Sequence, residues 1–281
     1  MAPTTNYPIP FRETLPLPLR VLLVVYRWLV VVPVLVLTVA VHCTSIIILA
    51  MIGFPRFANT VVGRNWARVN AFVSMMKVEV AGAEKVDRNQ SYVVVANHRS
   101  LVDIYVIYGF SDIDAKWVIK KELRAIPIFG LACEKLGHIV VDRSNTEADL
   151  KSMQAARSSL VNGKSIFFFA EGTRSKDEII SPFKKGAFRM ALDLKLPVLP
   201  ISIHGTREIL PRDTTQLYPG KARLVFHDPI STENLDPKST DALMEQTRSV
   251  LMKALQEEEP YAQKITFLPP GEKANRRSAV G

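Results

Sequence analysis

An uncharged apolar segment near the amino terminus most constrains what this chain can fold into. From Trp28 to Phe54 the sequence contains no Asp, Glu, Lys or Arg, and valine, leucine, isoleucine and alanine dominate it. A helix that crosses a bilayer needs about 20 apolar residues, and this run is longer. The run therefore predicts attachment to a membrane, because soluble cores rarely contain uninterrupted apolar segments of this length.

Two arrangements of this segment fit the sequence: one tilted spanning helix, or a helical hairpin that enters one leaflet. Pro33 and the polar patch from His42 to Ser45 interrupt the run and suit a bend. Arginines flank both ends of the run, at Arg12, Arg20 and Arg27 before it and at Arg56, Arg64 and Arg68 after it. Because both flanks are basic, the positive-inside rule does not choose an orientation, and the similar charge favours a hairpin.

The net charge of the chain limits the kinds of molecule that it is expected to bind. The chain has 36 basic and 27 acidic residues, a net charge of +9, which favours an anionic partner such as a phosphate group or an acidic lipid surface. Nucleic acid is disfavoured because the basic and aromatic residues form no recognition motif. Cys43 and Cys133 suggest neither a disulfide framework nor a thiolate metal site, and they favour a reducing compartment.

From residue 77 onward, short apolar runs alternate with longer segments of helical periodicity. The predicted strands are Lys77 to Val80, Tyr92 to Ala96, Ala115 to Ile119, His138 to Val141, Ser165 to Phe169, Val198 to Ile203 and Ala222 to Phe226. The predicted helices cover 56–76, 100–110, 121–135, 145–162, 184–194 and 239–257. Continuous apolar strands between helices predict an α/β fold, a mixed sheet covered by helices.

This pattern predicts three parts of the chain. Residues 1–54 form an amino-terminal tail and membrane anchor, with a membrane helix or helical hairpin. Residues 55–258 form the α/β domain, and residues 259–281 form a loosely ordered tail that is rich in proline and mixed charges.

The strand that ends at Ala96 runs directly into a turn that contains His98. Loops at the carboxyl ends of strands collect the chemistry of such sheets. Asp103 lies five residues further on, which on an ideal helix is about 140° around the axis, but a turn between them removes that separation. With Ser100 as the N-cap, the Asp103 carboxylate points back toward the imidazole. The same residues also fit an ordinary capping box with no chemical role.

Four sequence blocks, in order from residue 97 to residue 203, resemble those of the glycerolipid acyltransferases. Asn97-His98-x-Ser100-x-x-Asp103 resembles the first, His-x4-Asp block of that family. Phe169-Ala170-Glu171-Gly172-Thr173-Arg174-Ser175 resembles its Phe-Pro-Glu-Gly-Thr-Arg-Ser block, with Ala170 in place of proline. Val141-Asp142-Arg143 and Leu199-Pro200-Ile201 resemble the two remaining blocks.

The resemblance implies an acyltransferase that moves a fatty acyl group from acyl-CoA or acyl-carrier protein to the free hydroxyl of lysophosphatidate. The product would be phosphatidate for phospholipid biosynthesis, formed without a cofactor or a metal. Glycerol-3-phosphate or another lysophospholipid as the acceptor stays open, as does a non-catalytic membrane lipid-binding protein. The expected location is the cytoplasmic face of the inner or plasma membrane.

The resemblance also assigns roles to residues. His98 would be the general base and Asp103 would orient its ring. Arg143, Gly172, Thr173, Arg174 and Ser175 would hold the phosphate. Glu171 would orient Arg174 or a substrate hydroxyl, with a surface ion pair to Arg174 as the alternative. Further cations expected near the mouth of the site are Lys120, Lys121, Lys184, Lys185 and Arg189.

Overall fold

The computed structural model describes residues 15–141, 160, 163–175 and 180–257. Three predictions lie outside the described residues: the position of Arg143, the helix over 145–162 except for residue 160, and the loosely ordered tail over 259–281.

A seven-stranded mixed sheet forms the centre of the protein, in the order β1-β7-β6-β2-β5-β3-β4. Its strands are β1 (Met76–Ala81), β2 (Val93–Ala96), β3 (Asp114–Lys120), β4 (Ile139–Val141), β5 (Lys164–Phe169), β6 (Val198–His204) and β7 (Gly220–Phe226). All neighbouring strands are parallel except β6 and β7. The mixed sheet and all seven predicted strands are confirmed.

Helices cover both faces of this sheet. Their bounds are α1 (Leu17–Met51), α2 (Pro55–Phe57, Ala58–Gly63 and Arg64–Val73 in succession), α3 (Asp103–Phe110), α4 (Lys121–Arg124), α5 (Phe129–Lys135), α6 (Gly186–Leu194), α7 (Thr206–Ile209) and α8 (Thr240–Glu257). Side chains alternate between the faces of a strand. On β2, Val94 therefore packs in a cluster with α2 and α3, whereas Val93 and Val95 pack in a cluster with α6 and α8. Burial on both faces explains the unbroken apolar runs.

The apolar segment at the amino terminus forms part of one continuous helix of 35 residues, α1. The predicted hairpin within the run is therefore wrong. Pro33 lacks the N–H that an α-helix needs, but the preceding turn, Arg27–Val31, widens into a π-helix that accommodates it without a break. The chain reverses only after Met51, where Gly53 adopts a φ of 94° before α2 begins.

Helix α1 exposes most of its apolar surface. At 1.5 Å per residue, its 35 residues extend about 52 Å, enough to cross a membrane. Its buried residues are Thr38, Cys43 and Ile46, all in the half nearer its carboxyl end. That half packs on the α/β domain, with Cys43 and Ile46 in a cluster that includes Ala132 of α5.

The helix predicted over 121–135 is divided into α4 and α5. Pro127 cannot donate a backbone hydrogen bond, and Ile128 has a φ of 63°, in the left-handed region. The N–H of Phe129 then donates to the carbonyl of Pro127 at 2.6 Å. A Cβ on Gly130 would lie 2.0 Å from the Arg124 carbonyl oxygen, so this sharp turn requires glycine there.

Candidate active site

A buried amide determines where the chain leaves the sheet after β2. The Asn97 side chain donates to the carbonyl of Ile203 at 2.9 Å and accepts from the N–H of Ile203 at 2.8 Å. These two bonds continue the pairing of β2 with β6 beyond the last strand residue. This role of Asn97 was not predicted, although an amide directly after a buried strand is a sequence signal for one.

His98 and Asp103 form the pair that the sequence predicted. The Nδ1 of His98 lies 2.8 Å from Oδ2 of Asp103, which is fully buried. The same oxygen accepts the backbone N–H groups of Arg99 and Ser100, each at 2.8 Å. Because Oδ2 accepts two backbone N–H groups, it acts as an acceptor toward the ring as well, and Nδ1 donates to it. Nε2 is then the ring atom that is left to accept a proton.

The predicted N-cap role of Ser100 is wrong. Helix α3 begins at Asp103 with Val102 as its N-cap, two residues later than the capping box required. The Ser100 hydroxyl donates to the carbonyl of Leu210 at 2.7 Å and accepts the N–H of Val102, before the helix begins, at 3.4 Å. One contact of a capping box is nevertheless present, because the Asp103 carboxylate accepts the N–H of Ser100.

Glu171 is buried, with 4% of its surface exposed, and both carboxylate oxygens point into the protein. Oε1 accepts the N–H of His98 at 3.0 Å, and Oε2 accepts the N–H of Ser181 at 2.9 Å and the hydroxyl of Ser175. The predicted partnership with Arg174, as an orienting contact or as a surface ion pair, is therefore wrong. Glu171 instead joins the turn after β5 to the histidine turn, because β2 and β5 are neighbours.

Two further contacts fix His98. The N–H of Ser175 donates to the His98 carbonyl at 2.7 Å. The imidazole stacks on the ring of Phe169, with the centroids 3.8 Å apart and the planes 14° apart. The His98 side chain nevertheless stays 15% exposed, so a substrate can reach it. Phe169, the last residue of β5, was not predicted to touch the histidine.

The segment from Gly172 to Ser175 lies at the same edge of the sheet as His98. Gly172 has a φ of 74°, and a Cβ there would lie 2.8 Å from Cε of Lys184. Thr173 is exposed, and Arg174 is partly buried with 24% of its side chain exposed. The structure therefore brings together His98, Asp103 and four of the five residues predicted to hold a phosphate, with Lys184 beside them.

The other histidines of the α/β domain are placed differently. Burial lowers the pKa of His138 and of His204 to about 3, assisted by Lys116 and Arg99 respectively. Burial also lowers the pKa of His227, whose Nε2 shares the Ser202 hydroxyl with His204 at 2.9 and 2.8 Å. Burial thus favours the neutral form of each of these rings. His98 has the accessibility and the carboxylate partner that a base needs.

A cavity of about 300 Å³ lies at the opposite edge of the sheet, where β2, β3 and β5 begin. Its three arginines already have partners: Arg56 lies 3.1 Å from Asp114, Arg64 pairs with Asp112, and Arg88 donates to two backbone carbonyls. Since His98 lies at the other edge, this cavity is separate from the candidate active site.

Comparison with known proteins agrees with this geometry. Residues 77–204 match the family model described as Acyltransferase. The matched segment contains His98, Asp103 and the turn after β5, so this part of the chain resembles that family. The chain is 32% identical over 177 residues to a chloroplastic 1-acyl-sn-glycerol-3-phosphate acyltransferase of Brassica napus, covering 62% of this chain and 51% of that protein. It is 30% identical over 184 residues to the alpha form from Mus musculus, covering 65% of each.

A solved structure shares the fold of this chain. The crystal structure of the 1-acyl-sn-glycerophosphate acyltransferase from Thermotoga maritima superposes with a TM-score of 0.71 at 25% identity. The match covers 89% of this chain and 98% of that one. By contrast, the chain spans only 51% and 59% of the first two curated relatives, from Brassica napus and Arabidopsis thaliana.

Proposed function

We propose that this protein is an acyltransferase that moves a fatty acyl group from a thioester donor to the free hydroxyl of lysophosphatidate, giving phosphatidate. The observation that carries the proposal is the contact between the two turns. Glu171 and Ser175 bind the backbone of His98, so a base and a loop suited to phosphate lie at one edge of the sheet. The names of the curated relatives specify the same acceptor.

In the proposed mechanism His98 acts as the general base. Nε2 takes the proton of the acceptor hydroxyl while its oxygen attacks the thioester carbonyl, and Asp103 stabilises the imidazolium that forms. The tetrahedral intermediate collapses with cleavage of the carbon–sulfur bond, and the proton leaves with the thiol. General base catalysis of this kind contributes about 10² to 10⁴ in rate. The thioester is already activated, so the proposal includes no cofactor or metal.

The phosphate of the acceptor is assigned to the turn after β5. Gly172 allows close approach of the backbone, Thr173 offers an exposed hydroxyl, and Arg174 offers a planar fork for two oxygens. Arg143 keeps its proposed place as a second cation. Ser175 and Glu171 are assigned a positioning role, because their side chains bind each other and the His98 turn.

The donor is proposed to be acyl-CoA or acyl-carrier protein. The enzyme is proposed to act at the cytoplasmic face of the inner or plasma membrane, for the following reasons. The exposed apolar surface of α1 supports membrane association. Both cysteines are free and buried, which agrees with a reducing compartment. The charge of +9 favours an acidic lipid surface over a neutral one.

A direct assay tests the acyltransferase proposal. Purified protein receives radiolabelled acyl-CoA with lysophosphatidate, glycerol-3-phosphate or monoacylglycerol, and the lipid products are separated. We expect labelled phosphatidate from lysophosphatidate, and little transfer to monoacylglycerol because it lacks the phosphate. Binding of lysophosphatidate without any transfer, from acyl-CoA or from acyl-carrier protein, would instead support a non-catalytic lipid-binding protein.

Charges on the exposed face of α1 should weaken membrane binding without disturbing the core. Leu22 and Leu29 are exposed, and a charge at the bilayer centre costs about 2.5 to 3.5 kcal/mol. The double variant Leu22→Glu, Leu29→Glu should move protein from the vesicle pellet to the supernatant during sedimentation. Val80→Glu, at an exposed position on β1, is the matched control and should stay in the pellet. Undiminished sedimentation of the double variant would argue against α1 as the anchor.

A further inference from the structure

An exposed carboxylate lies between two arginines beside the turn after β5. Oδ1 of Asp213 is 3.9 Å from Nη2 of Arg174, and Oδ2 is 3.2 Å from Nε of Arg212. The Asp213 side chain is 74% exposed, whereas those of Arg174 and Arg212 are only 24% and 25% exposed. The two guanidinium groups are therefore held by the protein, and the carboxylate between them faces solvent.

Tertiary contacts hold Arg212 in this place. Its Nη1 donates to the backbone carbonyl of Arg174. The segment that carries it is attached to the histidine turn as well, through the bond from the Ser100 hydroxyl to the Leu210 carbonyl. The adjacent Pro211 is buried. Arg212 is thus fixed to both turns of the candidate active site, although it lies in none of the four sequence blocks.

The carboxylate satisfies these arginines incompletely. The Nε–H of Arg212 is buried and has no acceptor with hydrogen-bond geometry among the described residues. The 3.9 Å separation at Arg174 is at the outer limit of an ion pair. Asp213 supplies one negative charge to two cations, and its backbone has a φ of 60°, a left-handed conformation that aspartate adopts only occasionally. A phosphomonoester dianion offers two charges and three terminal oxygens, which suit two guanidinium forks.

We propose that Arg212 and Arg174 form a subsite for a phosphomonoester dianion, and that Asp213 occupies this subsite until the dianion displaces it. The inference rests on the proposed function and adds Arg212 to the phosphate site. Two substrates carry this chemistry: the phosphate of lysophosphatidate and the 3′-phosphate of CoA. Displacement of Asp213 would discriminate in favour of dianionic ligands, because a neutral ligand cannot compete with a carboxylate for two arginines.

Steady-state kinetics of three single variants test this subsite. Arg212→Gln removes the cation, and Asp213→Asn removes the competing charge at the same size. Arg248→Gln is the matched control, since Arg248 donates to the Ile180 carbonyl at 3.2 Å and lies 3.6 Å from Glu245, an arrangement like that of Arg212. Lysophosphatidate and acyl-CoA are each varied with the other saturating, and inorganic phosphate is added as a competitor.

Arg212→Gln should raise the KM for one phosphomonoester substrate by roughly tenfold and weaken inhibition by inorganic phosphate by a similar factor, as loss of a charge-assisted hydrogen bond predicts. Asp213→Asn should lower the same KM about threefold, a smaller factor because the charge it removes is largely exposed to solvent. A change in the KM of lysophosphatidate identifies the acceptor as the occupant. A change in the KM of acyl-CoA identifies the donor as the occupant. The effect of the variants on the donor KM should then vanish when acyl-pantetheine, which lacks the 3′-phosphate, replaces acyl-CoA. Arg248→Gln should leave both constants unchanged.

The proposal is overturned if Arg212→Gln melts like the wild type and alters neither KM nor phosphate inhibition, or if Asp213→Asn raises the KM. If Arg212→Gln does not fold, Arg212→Lys retains the charge and should show a smaller rise in the same KM. Failure of the proposed function is distinguishable, because the wild type would then form no phosphatidate at all. An active wild type with an inactive His98→Ala and an unaffected Arg212→Gln rejects the subsite alone.

Discussion

His98→Ala is expected to lower kcat for transfer to lysophosphatidate by about 10² to 10⁴, the usual contribution of a general base. The fold should persist, because the ring is partly exposed and the turn is held by backbone contacts to Glu171 and Ser175. The measurement is the initial rate of phosphatidate formation with both substrates saturating, alongside a thermal melt.

The role of Asp103 is tested by combining it with His98. Asp103→Asn should lower kcat by a comparable factor, since an amide cannot accept all three donors around Oδ2 and no longer supports an imidazolium. The double variant should be no slower than His98→Ala, because the two residues act as one unit. Fully additive losses would show that Asp103 acts independently of the ring. His227→Gln, at a partly buried ring outside the site, is the control and should keep its activity.

Glu171→Gln is expected to lower both the stability of the protein and the rate of transfer. A glutamine supplies only one acceptor oxygen and turns an NH₂ group toward a backbone N–H. Either His98 or Ser181 would lose its acceptor, and an unsatisfied buried donor costs about 1 to 3 kcal/mol. The free energy of unfolding should fall by about 2 kcal/mol, and kcat should fall because the His98 backbone is no longer fixed.

Denaturant unfolding and kinetics on one preparation measure both effects. Glu134→Gln is the control: Glu134 is exposed and its carboxylate lies 3.1 Å from Arg124, so its loss should change stability by about 0.5 kcal/mol or less. A Glu171→Gln variant with the wild-type free energy of unfolding and wild-type kcat would contradict the proposed positioning role.

The strands could be predicted because burial on both faces makes a central strand a short, continuous apolar run. Their order could not, because β2 pairs with β5 and β6, whose residues lie about 70 and 105 positions further along the chain. The division between α4 and α5 was missed for a local reason. Helical periodicity continues through Ile128, and its left-handed backbone is not evident from a β-branched residue.

In the candidate site, too, local contacts could be predicted from the sequence and contacts between distant residues could not. His98 and Asp103 lie in one short segment, so their pairing depends on a local turn that the sequence could indicate. The partners of Ser100 and Glu171 could not be predicted: Leu210 lies 110 residues from Ser100, and His98 lies 73 residues from Glu171. A capping box and a surface ion pair were reasonable interpretations until those distant groups were located.

The sequence by itself determined the apolar segment, the mixed α/β class and the residues of the four blocks, since hydrophobic periodicity and short motifs are local properties of the chain. Only the tertiary structure decided that Glu171 supports the histidine turn and that Arg212 and Asp213 lie against Arg174. The physical reason is that buried hydrogen bonds and ion pairs join groups that are close only after strands distant in sequence have paired.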